Sequence, residues 1–192
     1  MAAERVGPSL GLRPMTDTRR QIVDAALALV ADRGIGATSV DDIAAAAGVA
    51  KGSVFYNFGS KSGLFEAIIA EGVSRLTAAL RDAGAGLQGR AAVDAMIGAL
   101  LEQVWAHPDF AKLVVAETFR SGRAWQESIR QVREESMGAL VAAVQQEWPE
   151  RDAWLTAAAL FGATLVAGLE WLVFQPTRSL DEVRTAVLAA VG

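Results

Sequence analysis

The window from Thr38 to Lys61, TSVDDIAAAAGVAKGSVFYNFGSK, leaves a chain few ways to fold. Ser39 followed by Asp42 marks a helix start, and Val40, Ile43, Ala44 and Ala47 then line one face of the helix. Gly48 suits the left-handed residue that stops this helix and turns the chain sharply. A second short helix is expected from about Lys51 to Tyr56, with Val54 inward and Phe58 plugging the unit just after it, before Ser60 caps a new start. Short helix, glycine turn, short helix is the helix-turn-helix arrangement, in which one helix crosses a DNA backbone and the next enters the major groove.

The flanking sequence is helical throughout. Residues 1–15, with Gly7, Pro8, Gly11 and Pro14, have no apolar period and read as a flexible arm. Thr18 with Gln21 reads as a capped start for helix 1, in which Ile22, Ala26, Leu29 and Val30 repeat until Gly34. Helix 4 carries Leu64, Phe65, Ile68, Ile69, Val73, Leu76 and Leu80, a stripe too long for a three-helix unit to cover alone. Gly84, Gly86 and Gly89 break the pattern before helix 5, expected over about Ala91 to Ala106. His107 and Pro108 form a junction, with Pro108 suited to the first turn of helix 6. Helix 7 is expected to present Trp125, Ile129, Val132, Leu140, Val144 and Trp148, helix 8 to run from about Asp152 to Phe174, and helix 9 to carry Leu180, Val183, Val187, Leu188 and Val191. The fold class is all-α, with about nine helices: an N-terminal three-helix helix-turn-helix module and a C-terminal helical region.

Charge has to be divided to fit DNA binding. The net charge is -4, yet through Phe65 there are 7 Lys or Arg against 6 Asp or Glu, and in the remainder 11 against 16. Binding charge is therefore local, and Arg5, Arg13, Arg19, Arg20, Lys51 and Lys61 are the candidates to approach phosphate. The absence of cysteine excludes disulfides and thiolate metal sites. The N-terminus lacks the apolar core of a signal peptide, so a cytoplasmic protein is expected.

Helix 8 has two apolar stripes. Trp154, Ala158, Phe161, Leu165 and Leu172 form one; Leu155, Ala159, Gly162, Val166 and Val173 form the other. The charge-free run Leu155 to Leu169 is short of the roughly 20 residues that a membrane span needs, which favours a core helix. A helix apolar on both sides calls for cover on both. Helices 8 and 9 are expected to pair with their copies across a two-fold axis, with Leu155, Ala159, Gly162, Val166, Val173, Val183 and Val187 at the interface.

The stretch TRRQIVDAALALVADRGIGATSVDDIAAAAGVAKGSVFYNFGSKSGLFEAI resembles the amino-terminal DNA-binding module of the TetR family of one-component transcriptional regulators along its whole length. The KGS start of helix 3, the aromatic run FYNF and SK before LF carry the resemblance beyond what another helix-turn-helix would share. It implies that Thr38 and Ser39 at the amino end of helix 2 meet phosphate, that helix 3 enters the groove, and that Lys61 touches the backbone. Lys51 reaches either a guanine edge or a phosphate, and Gly52 lets the helix approach closely. Ser53, Tyr56 and Asn57 add base or backbone hydrogen bonds, unless Tyr56 partly packs and Asn57 merely ends the helix. Members of the family usually present Tyr-Tyr-His-Phe where this chain has Phe55, Tyr56, Asn57 and Phe58. Phe55 therefore lacks a phenol, though it can still press on a sugar or a thymine methyl.

The resemblance further implies a homodimeric regulator, read as a repressor, that holds palindromic double-stranded operator DNA and is released by a small effector lodged among helices 4 to 8. A hydrophobic effector is expected, with Met96, Leu100, Trp105, Phe110, Val114, Glu117, Trp125, Ile129, Phe161 and Leu165 as contacts, ordinary core packing being the competing reading of each. Glu117 and Glu170 would then place carboxylates near apolar faces. The expected division is an arm over 1–15, a DNA-binding unit over 16–62, and an effector-binding and dimerisation region over 63–192. With one His, no Cys and no nucleophile–base motif, no catalytic residue, metal site or cofactor is expected. The alternative is a helical scaffold that does not bind DNA, or a membrane-associated protein, motivated by helix 8.

Overall fold

The computed structural model describes residues 17–118, 134 and 137–191. All regular structure among them is helical: α1 (Asp17–Ala37), α2 (Val40–Ala47), α3 (Lys51–Phe58), α4 (Lys61–Gly84), α5 (Gly89–Ala106), α6 (Pro108–Thr118), α7 (137–147), α8 (Ala153–Phe174) and α9 (Leu180–Val191). Thr18, read as a cap, already lies inside α1. Gly34, at φ 80° and ψ 161°, breaks that helix where the sequence pattern stops.

Side-chain caps fix the other ends. Ser39 Oγ accepts from the amide of Asp42 at 3.1 Å, while the Asp42 carboxylate accepts from the Ser39 amide at 3.1 Å. Ser60 Oγ caps α4 through the Gly63 amide at 3.0 Å, and Asp152 caps α8 through the Leu155 amide at 2.9 Å. Each satisfies a first-turn donor that would otherwise lack a partner. Pro108 opens α6, as its fixed φ favours.

Two apolar cores meet along α4. The first joins Ile22, Val23, Ala26 and Val30 of α1, Ile43 and Ala44 of α2, Val54 of α3, and Leu64, Phe65 and Ile68 of α4, with Leu113 of α6 closing it. The second gathers Leu80 of α4, Val93, Ile97 and Leu100 of α5, Leu140 and Val144 of α7, Leu160 of α8, and Val187 and Leu188 of α9. One continuous helix thus serves both cores, so its tilt is felt in each. α6 adds a second bridge, since it packs against α1 as well as α5 and α8.

α8 seats a face that shares only Leu165 with the predicted stripes. Its most buried positions are Ala157, Leu160, Thr164, Leu165, Gly168 and Trp171, with the Thr164 hydroxyl donating to Leu160 O at 2.6 Å. Gly168 has no room for a side chain, because a Cβ would meet Val104 of α5 at 2.9 Å. Of the two stripes, the first is partly inward while the second faces outward: Leu155, Val166 and Val173 are 71%, 60% and 57% exposed. Among the described residues, α8 is therefore covered on one side only. Val183 and Val187, expected at an interface between copies, are instead buried in their own chain against α5 and α8. A short amphipathic helix lying on a larger body spends its large apolar side chains there and leaves its alanines outside.

Candidate nucleic-acid interface

α2 and α3 are joined by a turn that only backbone conformation explains. Gly48 sits at φ 67°, ψ 28°, and its N–H and that of Val49 reach back to the carbonyls of α2. A Cβ here would meet open space, so the left-handed φ and not crowding favours glycine. Val54, fully buried, pins α3 to the core from its inner side.

The outer side of α3 is a ridge. Lys51, Gly52, Phe55 and Tyr56 are exposed, Tyr56 at 88%, so it does not pack on the module. Among the described residues a Cβ on Gly52 would meet nothing within 4 Å, leaving that part of the helix surface low and open. Ser53 is half-buried. Asn57 lies in the last turn of α3, which Gly59 closes at φ 73°: its Nδ2 donates to Ser53 O at 2.8 Å, and its own carbonyl accepts from Arg19 Nη1 at 2.9 Å. Arg19 lies over the Phe58 ring at 4.3 Å, binding the start of α1 to the end of α3. Lys61 is half-buried at the first position of α4.

The acids beside the ridge are engaged by nearby cations. Asp41 Oδ2 holds Lys51 Nζ at 2.9 Å, and Asp42 holds Arg33 at 3.1 Å. The Ser39 hydroxyl and amide, and then the Arg33 charge, keep the Asp42 carboxyl below its ordinary range. Sequence reasoning missed these pairs; the Arg33–Asp42 pair spans α1 and α2 and has no signature in local spacing.

Thr38 departs from the expectation. Its side chain is buried, 1% exposed, with the hydroxyl donating to Gly34 O at 2.9 Å and the amide to Ile35 O. The broken end of α1 leaves carbonyls in need of donors, and Thr38 supplies them, so its hydroxyl does not face outward. Ser39 is exposed, though its hydroxyl is shared with Asp42 at 2.7 Å.

The expected effector contacts are scattered. Met96, Leu100 and Phe161 belong to the body core; Val114, Leu165 and again Phe161 to a small cluster around Val104 and Ala111; Phe110 flanks the module core. Trp105 is a correction: it is 54% exposed and stacks on Trp171 with ring centres 5.0 Å apart. At the last turn of α5 it lies past the stripe that contains Leu101 and Val104, so the rotation of the helix carries it outward. Trp125, Ile129 and the Glu117 side chain lie outside the described residues. A cleft of about 430 Å³ instead lies between α8 and α9, lined by Ala163, Ala167, Glu170, Ala186 and Ala190 among others, and by none of the ten expected contacts. Glu170 is exposed on its rim.

Comparison with known proteins agrees with this geometry. Residues 22–68 match the model of the family described as bacterial regulatory proteins, tetR family. The chain is 34% identical over 87 residues to the HTH-type transcriptional repressor KstR2 of Rhodococcus jostii, a match covering 45% of this chain and 43% of that protein. Among solved structures, the fatty acid degradation regulator FadR of Bacillus halodurans superposes with a TM-score of 0.79 at 20% identity, covering 93% of this chain and 96% of that one. FadR of Bacillus subtilis, solved in complex with stearoyl-CoA, superposes with a TM-score of 0.72 at 17% identity, covering 90% and 96%. At these identities the structures show a shared fold.

Proposed function

Because this chain belongs to the TetR family of bacterial regulatory proteins, we propose that it is a cytoplasmic transcriptional repressor that grips palindromic operator DNA as a homodimer. The observation that carries this reading is the α3 ridge, in which Tyr56, Phe55 and Lys51 stand outward from a helix anchored by Val54. A short helix presenting aromatic, hydroxyl and ammonium groups suits a major groove about 12 Å wide. Lys61 at the start of α4 and the amino end of α2 flank it, where phosphates would lie.

The division proposed is a reading unit over 16–62 and a regulatory and dimerisation unit over 63–192. The exposed α8 stripe of Leu155, Ala159, Gly162, Val166 and Val173 supports pairing of two copies, with the adjoining alanine-lined cleft against α9 admitting a close approach. α8 is long and apolar enough to cross a membrane by length and composition. Its opposite face is fastened to α5, α6 and α9, which favours the dimer. A hydrophobic effector among α4 to α8 would act by tilting α4, which both cores share. FadR of Bacillus subtilis binds stearoyl-CoA, and by analogy of fold an acyl compound is the first effector to try.

Salt-titrated binding to duplex DNA, followed by addition of acyl compounds, tests this. Binding that weakens steeply with salt and is reversed by an acyl compound is expected; indifference to duplex DNA at low salt would refute the reading.

A further inference from the structure

The junction of α4, α5 and α6 holds two nitrogen-bearing side chains, Arg75 and His107, that form no ion pair among the described residues. Arg75 of α4 has its Nε buried with no hydrogen-bond partner. Its guanidinium lies over the Phe110 ring of α6, 5.8 Å from the centroid. The tip of the Phe110 ring in turn abuts α4 at Gly72, where any side chain would collide with it. No carboxylate bridges Arg75 among the described residues, not even Glu71, one helical turn before it. Beside it His107 closes α5, half-buried. Removal from water, and then the charge of Arg75, hold the imidazole below its ordinary pKa.

A buried guanidinium N–H without an acceptor is unfavourable, and a neighbouring imidazole kept neutral can only donate or accept locally. An oxyanion satisfies both, taking a charge-assisted bond from Arg75, stronger than a neutral acceptor would make, and a hydrogen bond from neutral His107. His107 lies between Val104 of α5 and Ala111 of α6, which with Leu165 are buried in a small apolar cluster where Val114, Phe161, Leu169 and Leu172 are only partly so. We propose that Arg75 and His107 receive the carboxylate or phosphate head of an amphiphilic ligand, its apolar tail lying along this cluster. This names the chemical class of the effector and rests on the regulatory reading above. The location suits coupling: α4 and α6 both enter the module core, so a ligand that draws them together acts on the reading unit directly.

The chain's one histidine makes the test direct. His107 is titrated by NMR in the presence of decanoate, decyl phosphate or decanol, and each compound's affinity is measured by calorimetry. The two anions are expected to bind at least ten-fold more tightly than decanol and to raise the His107 midpoint, with decanol leaving it unmoved; whichever anion binds better identifies the head group. In Arg75→Gln the anion preference should disappear, and in Arg75→Lys it should return in part. Equal binding of anions and decanol by the unaltered protein, or an unchanged preference in Arg75→Gln, would overturn the proposal. Duplex binding by ligand-free protein is measured alongside: if it is intact while anions show no preference, this inference alone fails, whereas absent DNA binding counts against the regulatory reading and leaves the anion result to stand separately.

Discussion

α3 and α8 each turn a surface away from the chain's own core, and the two surfaces are chemical opposites. α3 shows a phenol, a hydroxyl and an ammonium group around an open glycine, backed by a cap, a left-handed turn and paired acids. α8 shows Leu155, Val166 and Val173 with a single charge, Glu170, near them. The first surface gains by meeting a polyanion, the second only by leaving water. A surface that binds nucleic acid can remain exposed at little cost. A stripe of large aliphatic residues cannot, and reads as half of a protein contact.

The largest effect should come from the apolar side of this contrast. Val166→Glu puts a charge in the middle of the α8 stripe and should convert the proposed dimer to monomer in sedimentation velocity, with helicity unchanged. Operator affinity should fall on the order of 100-fold, because the second reading head loses its high effective concentration. Unaltered sedimentation would remove the distinction drawn between the two helices.

Lys61→Ala tests the polar side. It should weaken selected and random duplexes alike and lower the slope of log K against log salt by about 0.9 per lost phosphate contact, counted once for each protomer. Lys51→Ala should also change which sequence is preferred. Asp41→Asn, by releasing Lys51 from its 2.9 Å pair, should tighten binding to all DNA by up to about five-fold, the scale of an exposed ion pair. A loss of affinity in Asp41→Asn would mean that the pair positions Lys51 instead of restraining it.

Smaller effects concern stability. Ser39→Ala removes the hydroxyl that accepts from the Asp42 amide, while the Ser39 backbone amide can still donate to the Asp42 carboxylate, and should cost about 1 kcal/mol, or roughly 2–4 °C in Tm by calorimetry. His107 has a folded pKa below its ordinary 6.5, so the unfolded chain binds the proton more readily. Stability should therefore be fully retained above about pH 6.5 and decline as the pH falls below it, and His107→Gln should flatten that decline.

Much of the reading unit was legible because its signals are local. Ser39 with Asp42, Gly48 and Ser60 each dictate a conformation within a few residues, and each does so here. Thr38 was misplaced because its partner is a carbonyl freed by the kink at Gly34, which no local pattern announces. In the body, periodicity gives faces but not which face is turned inward. The innermost line of α8 runs through Ala157, Thr164 and Gly168, small residues that carry little hydrophobic signal yet allow α5 to come close. Val183 and Val187 showed the reverse difficulty, since an apolar stripe looks the same whether a helix covers its own chain or a neighbour's. Arg75 had no sequence signature, because its missing partner is apparent only once α6 lies across α4.

Selection of bound duplexes from a random pool by the unaltered protein tests the central claim most directly. A two-fold protein with one α3 ridge per copy should enrich an inverted repeat whose half-sites are centred about one helical turn apart, 34–36 Å, or a multiple of that spacing. Enrichment of a single unrepeated site, or of no sequence at low salt, would contradict it.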